Sequence, residues 1–140
     1  MGEIRVKVKL TNATDESLNR MRKLAKRKVR TYEATAVVDT GAVRSVIPPH
    51  VLEKLGVGIR GTRVASYADG REDEVGITEG IIFDVLGRDT TEEAFVLGDE
   101  VLIGQTVLEK LDLLADSAGQ RVIPNPAHPD QPVNKIRRRT

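Results

Sequence analysis

From Ile4 to Leu10 the chain reads I-R-V-K-V-K-L, apolar and basic residues in strict alternation. A period of two puts the apolar side chains on one face of an extended strand and the cations on the other, the pattern of a half-buried β-strand. Leu18, Met21, Leu24 or Ala25, and Val29 then fall near helical spacing, with Thr14 or Asp15 available as N-cap, which predicts a helix with a solvated basic face. Tyr32 to Val38 reads as a second strand, and Ser45 to Ile47 as a short extended piece ended by Pro48-Pro49. A short helix follows over His50 to Leu55, closed by Gly56. Asp69-Gly70 lies between the strand-like runs Arg63–Ala68 and Val75–Thr78, a strong local signal for a tight hairpin. Gly80–Leu86 and Glu93–Leu97 read as another pair of strands joined through Gly87 to Thr91. Val101 to Gly104 is an apolar strand ending in glycine, followed by a helix with Val107, Leu108, Leu111 and Leu114 on one face. Arg121 to Ile123 is a last strand, before a proline-rich tail that starts at Pro124. Many short strands with one or two short helices predict a mostly β domain, a closed barrel or sandwich.

Composition changes this picture little. A chain of 140 residues fits one domain that can bury a core without metal or disulfide support. Residues 1–30 form an N-terminal strand and a basic helical or loop segment of that domain, 31–123 its body, and 124–140 a basic tail. Aromatics make up 3% of residues, so the core must be aliphatic. The absence of cysteine removes disulfides, thiolate metal sites and cysteine nucleophiles together. The N-terminus MGEIRVKVKL has no charged start followed by an apolar run, and no stretch approaches the roughly 18 apolar residues of a membrane span. A cytoplasmic protein with no membrane contact is therefore expected.

Charge is balanced overall, 22 Lys and Arg against 21 Asp and Glu, but it is uneven along the chain. Between Arg20 and Arg30 there are seven basic residues and no acid, and Lys135, Arg137, Arg138 and Arg139 repeat the bias. Such a run can contact nucleic acid or an acidic partner, but no aromatic is interleaved to stack on bases, so a solvated face is the expected role.

The charge that demands an explanation is in AVVDTGA, Ala36 to Ala42. An aspartate at the end of an apolar strand is poorly solvated, and desolvation raises its pKa unless donors or a counter-charge hold it ionised. Thr40 and Gly41 supply a hydroxyl and a backbone able to turn sharply, so neighbouring N–H groups can reach the carboxylate. Asp39 is thus a candidate catalytic acid or base, although Asp and Gly are also common turn residues. Other chemistries lack support. His50 and His128 are the sole histidines and have no patterned partners for a metal, and Ser45 and Ser66 sit in no G-x-S-x-G setting.

An apolar strand ending in D-T-G-A, then a hairpin with a glycine at its tip, then an apolar-apolar-Gly segment leading into a helix about 60 residues later, resembles the retropepsin-like (retroviral-type) aspartic proteases. The resemblance spans roughly Tyr32 to Leu114. It implies the closed, barrel-like acid-protease fold and a peptide or protein substrate, with no cofactor or metal. It makes Asp39 the catalytic aspartate, Thr40 the residue tying two active-site loops together, and Gly41 the glycine whose backbone faces substrate. Ala42, the hairpin residues Tyr67, Ala68, Asp69 and Gly70, and Ile103 of the apolar segment would line the substrate cleft. Such an enzyme needs two carboxylates sharing one proton, one to activate water and one to protonate the scissile carbonyl. No second D-T-G or D-S-G exists in the chain, and Asp116-Ser117-Ala118-Gly119 has one residue too many. The resemblance therefore implies a two-fold homodimer in which Asp39 of each copy completes the dyad.

Two departures stand out. Viral members commonly carry an acid just after D-T-G-A and an arginine just after the apolar-apolar-Gly segment, where this chain has Val43 and Gln105. Both halves are missing together, so no buried charge loses its partner, and Arg44 could supply a substitute contact. The hairpin tip, Tyr67-Ala68-Asp69-Gly70-Arg71, is also more polar than a glycine-rich viral flap. These changes point to a cellular, bacterial-type member. The competing readings are a peptide-binding or dimerisation module on the same fold and a small basic β-barrel that binds nucleic acid. Arg121 to Ile123 is the favoured dimer segment.

Overall fold

The computed structural model describes residues 2–137, so Arg138 and Arg139 of the basic tail lie outside the described residues. Strand β1 (Arg5–Asn12) buries Val6, Val8 and Leu10 and turns its basic side chains to solvent, as its alternation requires. It pairs antiparallel with β2 (Thr31–Val38), from Arg5 opposite Val37 to Thr11 opposite Thr31. Between them lies α1 (Ala13–Arg20), capped by Asn12, whose side chain accepts the Asp15 N–H at 3.0 Å. The expected helix runs no further. Arg22 takes the left-handed conformation at φ 59°, Arg22 N–H reaches Asn19 O, and Lys23 N–H reaches Leu18 O, which is a Schellman ending. The rest of the basic run is a turn and a 3₁₀ segment, Lys26–Lys28, and Met21 is exposed. Arg20 pairs with Glu16 one helical turn back at 2.9 Å, and Arg30 is tied across the fold: its guanidinium forks onto Asp15 through Nε at 2.8 Å and Nη2 at 3.0 Å.

After β3 (Val46–Ile47), helix α2 (Pro49–Leu55) ends at Gly56, which adopts φ 62° as its C-cap. Strands β4 (Ile59–Ser66) and β5 (Glu72–Thr78) form the expected Asp69-Gly70 hairpin. The next hairpin differs from expectation. β6 (Ile81–Val85) pairs with β7 (Arg88–Glu92), the stretch read as a connection, while β8 (Phe95–Val96) pairs with β3 and β5 instead. The turn is Leu86-Gly87, both at positive φ. β9 (Leu102–Ile103) leads into α3 (Gln105–Leu111), then β10 (Leu113–Asp116) and β11 (Arg121–Pro124). Leu114 is therefore a strand residue, 45% exposed, and not part of the helix face. Arg121 to Ile123 is a strand as expected, and its partner here is β10 of the same chain.

Nine strands in the order β4-β5-β8-β3-β9-β2-β1-β6-β7 make one sheet that curls into a half-barrel, and β10-β11 form a separate ribbon. With three short α-helices instead of one or two, the architecture is otherwise the mostly β one anticipated. Its core is aliphatic around one aromatic, Phe83, with Leu10, Ile47, Leu55, Ile77, Ile81, Ile103, Leu108 and Leu111 fully buried. No helix among the described residues is long and apolar enough to cross a membrane.

Candidate active site

The two sequence segments that carry the resemblance meet side by side. β9 runs parallel to β2, with Val37 opposite Leu102 and Val38 opposite Ile103, and antiparallel to β3 on its other side. It thus inserts between two strands that are consecutive in sequence, and the loop 39–45 joining them must pass over its end. Asp39 N–H continues the ladder by donating to Ile103 O at 2.9 Å. The turn then closes on itself: Ala42 N–H donates to Asp39 O at 3.1 Å, and Gly41 N–H donates to the Asp39 carboxylate at 2.9 Å.

The loop is held from below by α3. The first N–H groups of a helix lack intrahelical acceptors. Here Gln105 N–H finds Ala42 O at 2.7 Å and Thr106 N–H finds Val43 O at 3.3 Å. The Thr106 hydroxyl lies 2.8 Å from Val43 O and 2.9 Å from a carboxylate oxygen of Glu92, so its one proton serves either acceptor. Glu92 is almost fully buried and is neutralised by Lys110 Nζ at 3.1 Å. Fully buried Ser45 accepts the Gly104 N–H at 2.9 Å. Gly104 itself has no room for a side chain, since a Cβ would stand 2.7 Å from the Arg44 carbonyl.

This arrangement presents Asp39, Thr40 and Gly41 at the surface of the single chain, with Ala42 half-buried behind them. The poor solvation expected for Asp39 is not found within one chain: the apolar residues of β2 end beneath the carboxylate and do not cover it. Ile103 is fully buried, so its side chain belongs to the core and only its carbonyl serves the site. The hairpin residues are placed apart from the loop, because β8 and β3 stand between β5 and β9 in the sheet. Ala68, Asp69 and Gly70 are exposed and Tyr67 is half-buried. The tip is tied to itself: Tyr67 N–H donates to Arg71 O at 2.8 Å, and Arg71 Nε donates to Asp69 at 2.9 Å while stacking 4.8 Å over the Tyr67 ring. Those Arg71 contacts, the backbone N–H foremost, hold the Asp69 carboxyl below its usual value.

The sequence pattern left several functional positions unmarked. Ser45, Thr106 and Glu92 fix the loop, and Glu93 accepts from Arg60 and stands 3.6 Å from Arg44 as an ion pair, which gives Arg44 a charged partner. Nothing local distinguishes these residues, because each acquires its partner only through tertiary contact. The near-motif at Asp116 is a hairpin turn, in which the carboxylate accepts Gly119 N–H at 3.1 Å and meets Arg121 at 3.6 Å. Among the described residues no cluster of three or more His, Asp or Glu side chains is placed to hold a metal.

No protein-family model and no curated protein matches the chain. Among solved structures it is similar to the retroviral protease-like domain of Ddi1 from Leishmania major, at 16% identity and a TM-score of 0.57, with 90% of each chain covered. It is also similar to EIAV protease in complex with an inhibitor, at 20% identity and a TM-score of 0.48 over 55% of this chain and 75% of that one. With the insertion of β9 between β2 and β3, the near-complete overlap with the Leishmania domain shows that the chain has a retropepsin-like fold.

Proposed function

We propose that two copies of this chain assemble into an aspartic endopeptidase of a cellular, bacterial type. The observation that carries the reading is the exposed Asp39 carboxylate on a loop pinned by Ile103, Ser45, Gly104 and the start of α3. A rigid support with an uncovered carboxylate suits a site that is finished by a second copy of itself, across a two-fold axis. Brought together, two Asp39 side chains cannot both remain ionised at close range, so the pair holds one proton between them. The ionised member takes a proton from water as its oxygen attacks the peptide carbonyl, and the protonated member donates to the carbonyl oxygen. Collapse of the tetrahedral diol returns a proton to the leaving nitrogen and breaks the C–N bond, with no covalent enzyme intermediate.

In this reading the β4–β5 hairpin is a flap, with Tyr67, Ala68, Asp69 and Gly70 closing over an extended peptide and the Gly41 and Ala42 backbone beneath it. The ribbon β10–β11 supports the dimer. Two four-residue strands outside the main sheet are marginal alone, and their outer edges are open to another pair.

The test is cleavage of a mixed peptide library by the wild type and by Asp39→Asn. Wild-type cleavage with a bell-shaped pH dependence, abolished in the variant, is the expected result. Equal cleavage by both proteins would remove the dyad, and binding of peptides by the wild type without cleavage would leave a peptide-binding module.

A further inference from the structure

Resting on the peptidase reading, we infer that Glu93 is a positioning residue that locks the flap strand to the catalytic loop, through a hydrogen-bonded ion pair with Arg60 on one side and a longer charge–charge contact with Arg44 on the other. Glu93 lies in the link between β7 and β8, and the backbone just after it is fixed twice. Ala94 N–H donates to Thr78 Oγ1 at 3.0 Å, at the end of β5, and Phe95 N–H donates to Ser45 O at 3.0 Å, at the end of the catalytic loop. The side chain spans the same divide. Its Oε1 stands 3.6 Å from Nη1 of Arg44, which follows Asp39 by five residues in the loop, and its Oε2 bonds Nη1 of Arg60 in β4.

The local backbone of β4 favours this contact. Strand pairing with β5 shifts register between Ile59 and Gly61, so Arg60 sits in a bulge, the irregularity that re-aims a side chain off the regular ladder. β4 is an edge strand and depends on such a contact for its orientation. Along it only Ala65 is buried, and Val64 is 62% exposed, so little apolar packing fixes its angle to the body. The cations and acids around the contact are Arg44, Arg60 and Arg63 about Glu93, with Glu79 near Arg60. Arg60 foremost holds the Glu93 carboxyl below its usual value, which keeps it charged. Removing that one charge leaves two guanidinium groups, one on the loop and one on the flap, with no anion between them. Their repulsion then opens the gap the carboxylate closes.

The chain has no cysteine, so spin labels can be placed at Ala68 on the flap tip and Lys54 on α2 without background sites. In the wild type, diluted with excess unlabelled protein so that a dimer carries at most one labelled copy, the label-to-label distance distribution is expected to be narrow. In Glu93→Gln, which keeps size and removes charge, it is expected to broaden toward longer distances, while Glu33→Gln, the same change at an exposed position on β2, leaves it unchanged. Arg60→Gln and Arg44→Gln serve as independent arms: each must also broaden it, including the case in which Glu93→Gln fails to fold. Misplacement of this kind is expected to lower kcat/KM by about 10- to 100-fold with the fold intact. Identical distributions in the wild type and the folded variants overturn the proposal. Because the distances are read without substrate, absence of cleavage by the wild type would sink the peptidase reading and still leave this one decided.

Discussion

Gly104 is the residue on which the Asp39 loop turns, and the reason is space. Its φ of −88° and ψ of 173° suit any amino acid, so backbone strain has no part in its selection. A Cβ, however, would stand 2.7 Å from the carbonyl carbon and oxygen of Arg44 and 2.9 Å from Val43 O, and these are backbone atoms that cannot swing aside. Gly104→Ala is therefore expected to push the loop off β9, stretching the bonds from Gln105 and Thr106 that support Ala42 and Val43. Overpacking of this kind destabilises by about 1–3 kcal/mol, read as a lowered thermal or denaturant midpoint. Activity should fall further than stability, because the displaced atoms carry Asp39. A fully active, fully stable alanine variant would show that loop and strand are not in the contact described. This glycine was legible as the end of an apolar strand, whereas Ser45 and Thr106, which bond to the same loop, were not. A serine or threonine reads as a loop residue until a tertiary partner is known.

At the scale of elements, the segment after β11 is clasped to the end of α3 by a single carboxylate. Asp112, the left-handed C-cap of α3, accepts Val133 N–H at 3.0 Å and Asn125 Nδ2 at 3.0 Å, and meets His128 Nδ1 at 2.6 Å. Buried Arg88 completes the clasp by donating to the carbonyls of Leu111, Asp112 and His128. The Val133 N–H foremost, then the Asn125 amide, hold the Asp112 carboxyl down to about 2, against an ordinary 3.8. A lowered folded-state value means that this stabilisation is complete above the ordinary value and is lost as pH falls through about 2. Hydrogen-exchange protection of the Asn125–Val133 segment should thus hold from neutral pH to about pH 4 and decline below it. In Asp112→Asn it should be weak already at neutral pH, without an acid step. Protection that ignores both acid and the substitution would mean that the segment is held elsewhere. The same clasp explains why β7 escaped the hydrophobic pattern. Its inward positions, Arg88, Thr90 and Glu92, keep the period of two, but the buried ends are polar groups satisfied by α3 and its flanks. Alternation of apolar and polar residues marks a strand only when the inner face is apolar. β1 and β2 met that condition and were legible. The basic run read as a helix satisfied the spacing, but a left-handed Arg22 ended the helix before Leu24 could join the stripe.

At the scale of the whole molecule, the ribbon β10–β11 stands outside the main sheet, and the one D-T-G carboxylate stands uncovered. In the proposed dimer one operation answers both features, a two-fold axis that pairs ribbon with ribbon and loop with loop. Leu114 tests this geometry. It is a large apolar side chain, 45% exposed on β10, opposite Ile123 and away from the Asp39 loop in sequence. If the ribbon is the interface, Leu114→Lys removes the burial of the 45% of that side chain still exposed in one chain, about 0.7–1.4 kcal/mol, and does so twice across the axis. The dimer constant should weaken by about 10- to 100-fold, read as a lowered mass in sedimentation at micromolar concentration. Since β10 touches neither Asp39 nor the flap, each reassembled dimer should be as active as the wild type. Specific activity of Leu114→Lys should therefore climb with protein concentration, while Asp39→Asn stays inactive at every concentration. A variant that remains dimeric and active when dilute would move the interface to another surface. A variant that is dimeric but inactive would separate dimerisation through the ribbon from assembly of the dyad, and so break the link between the two features.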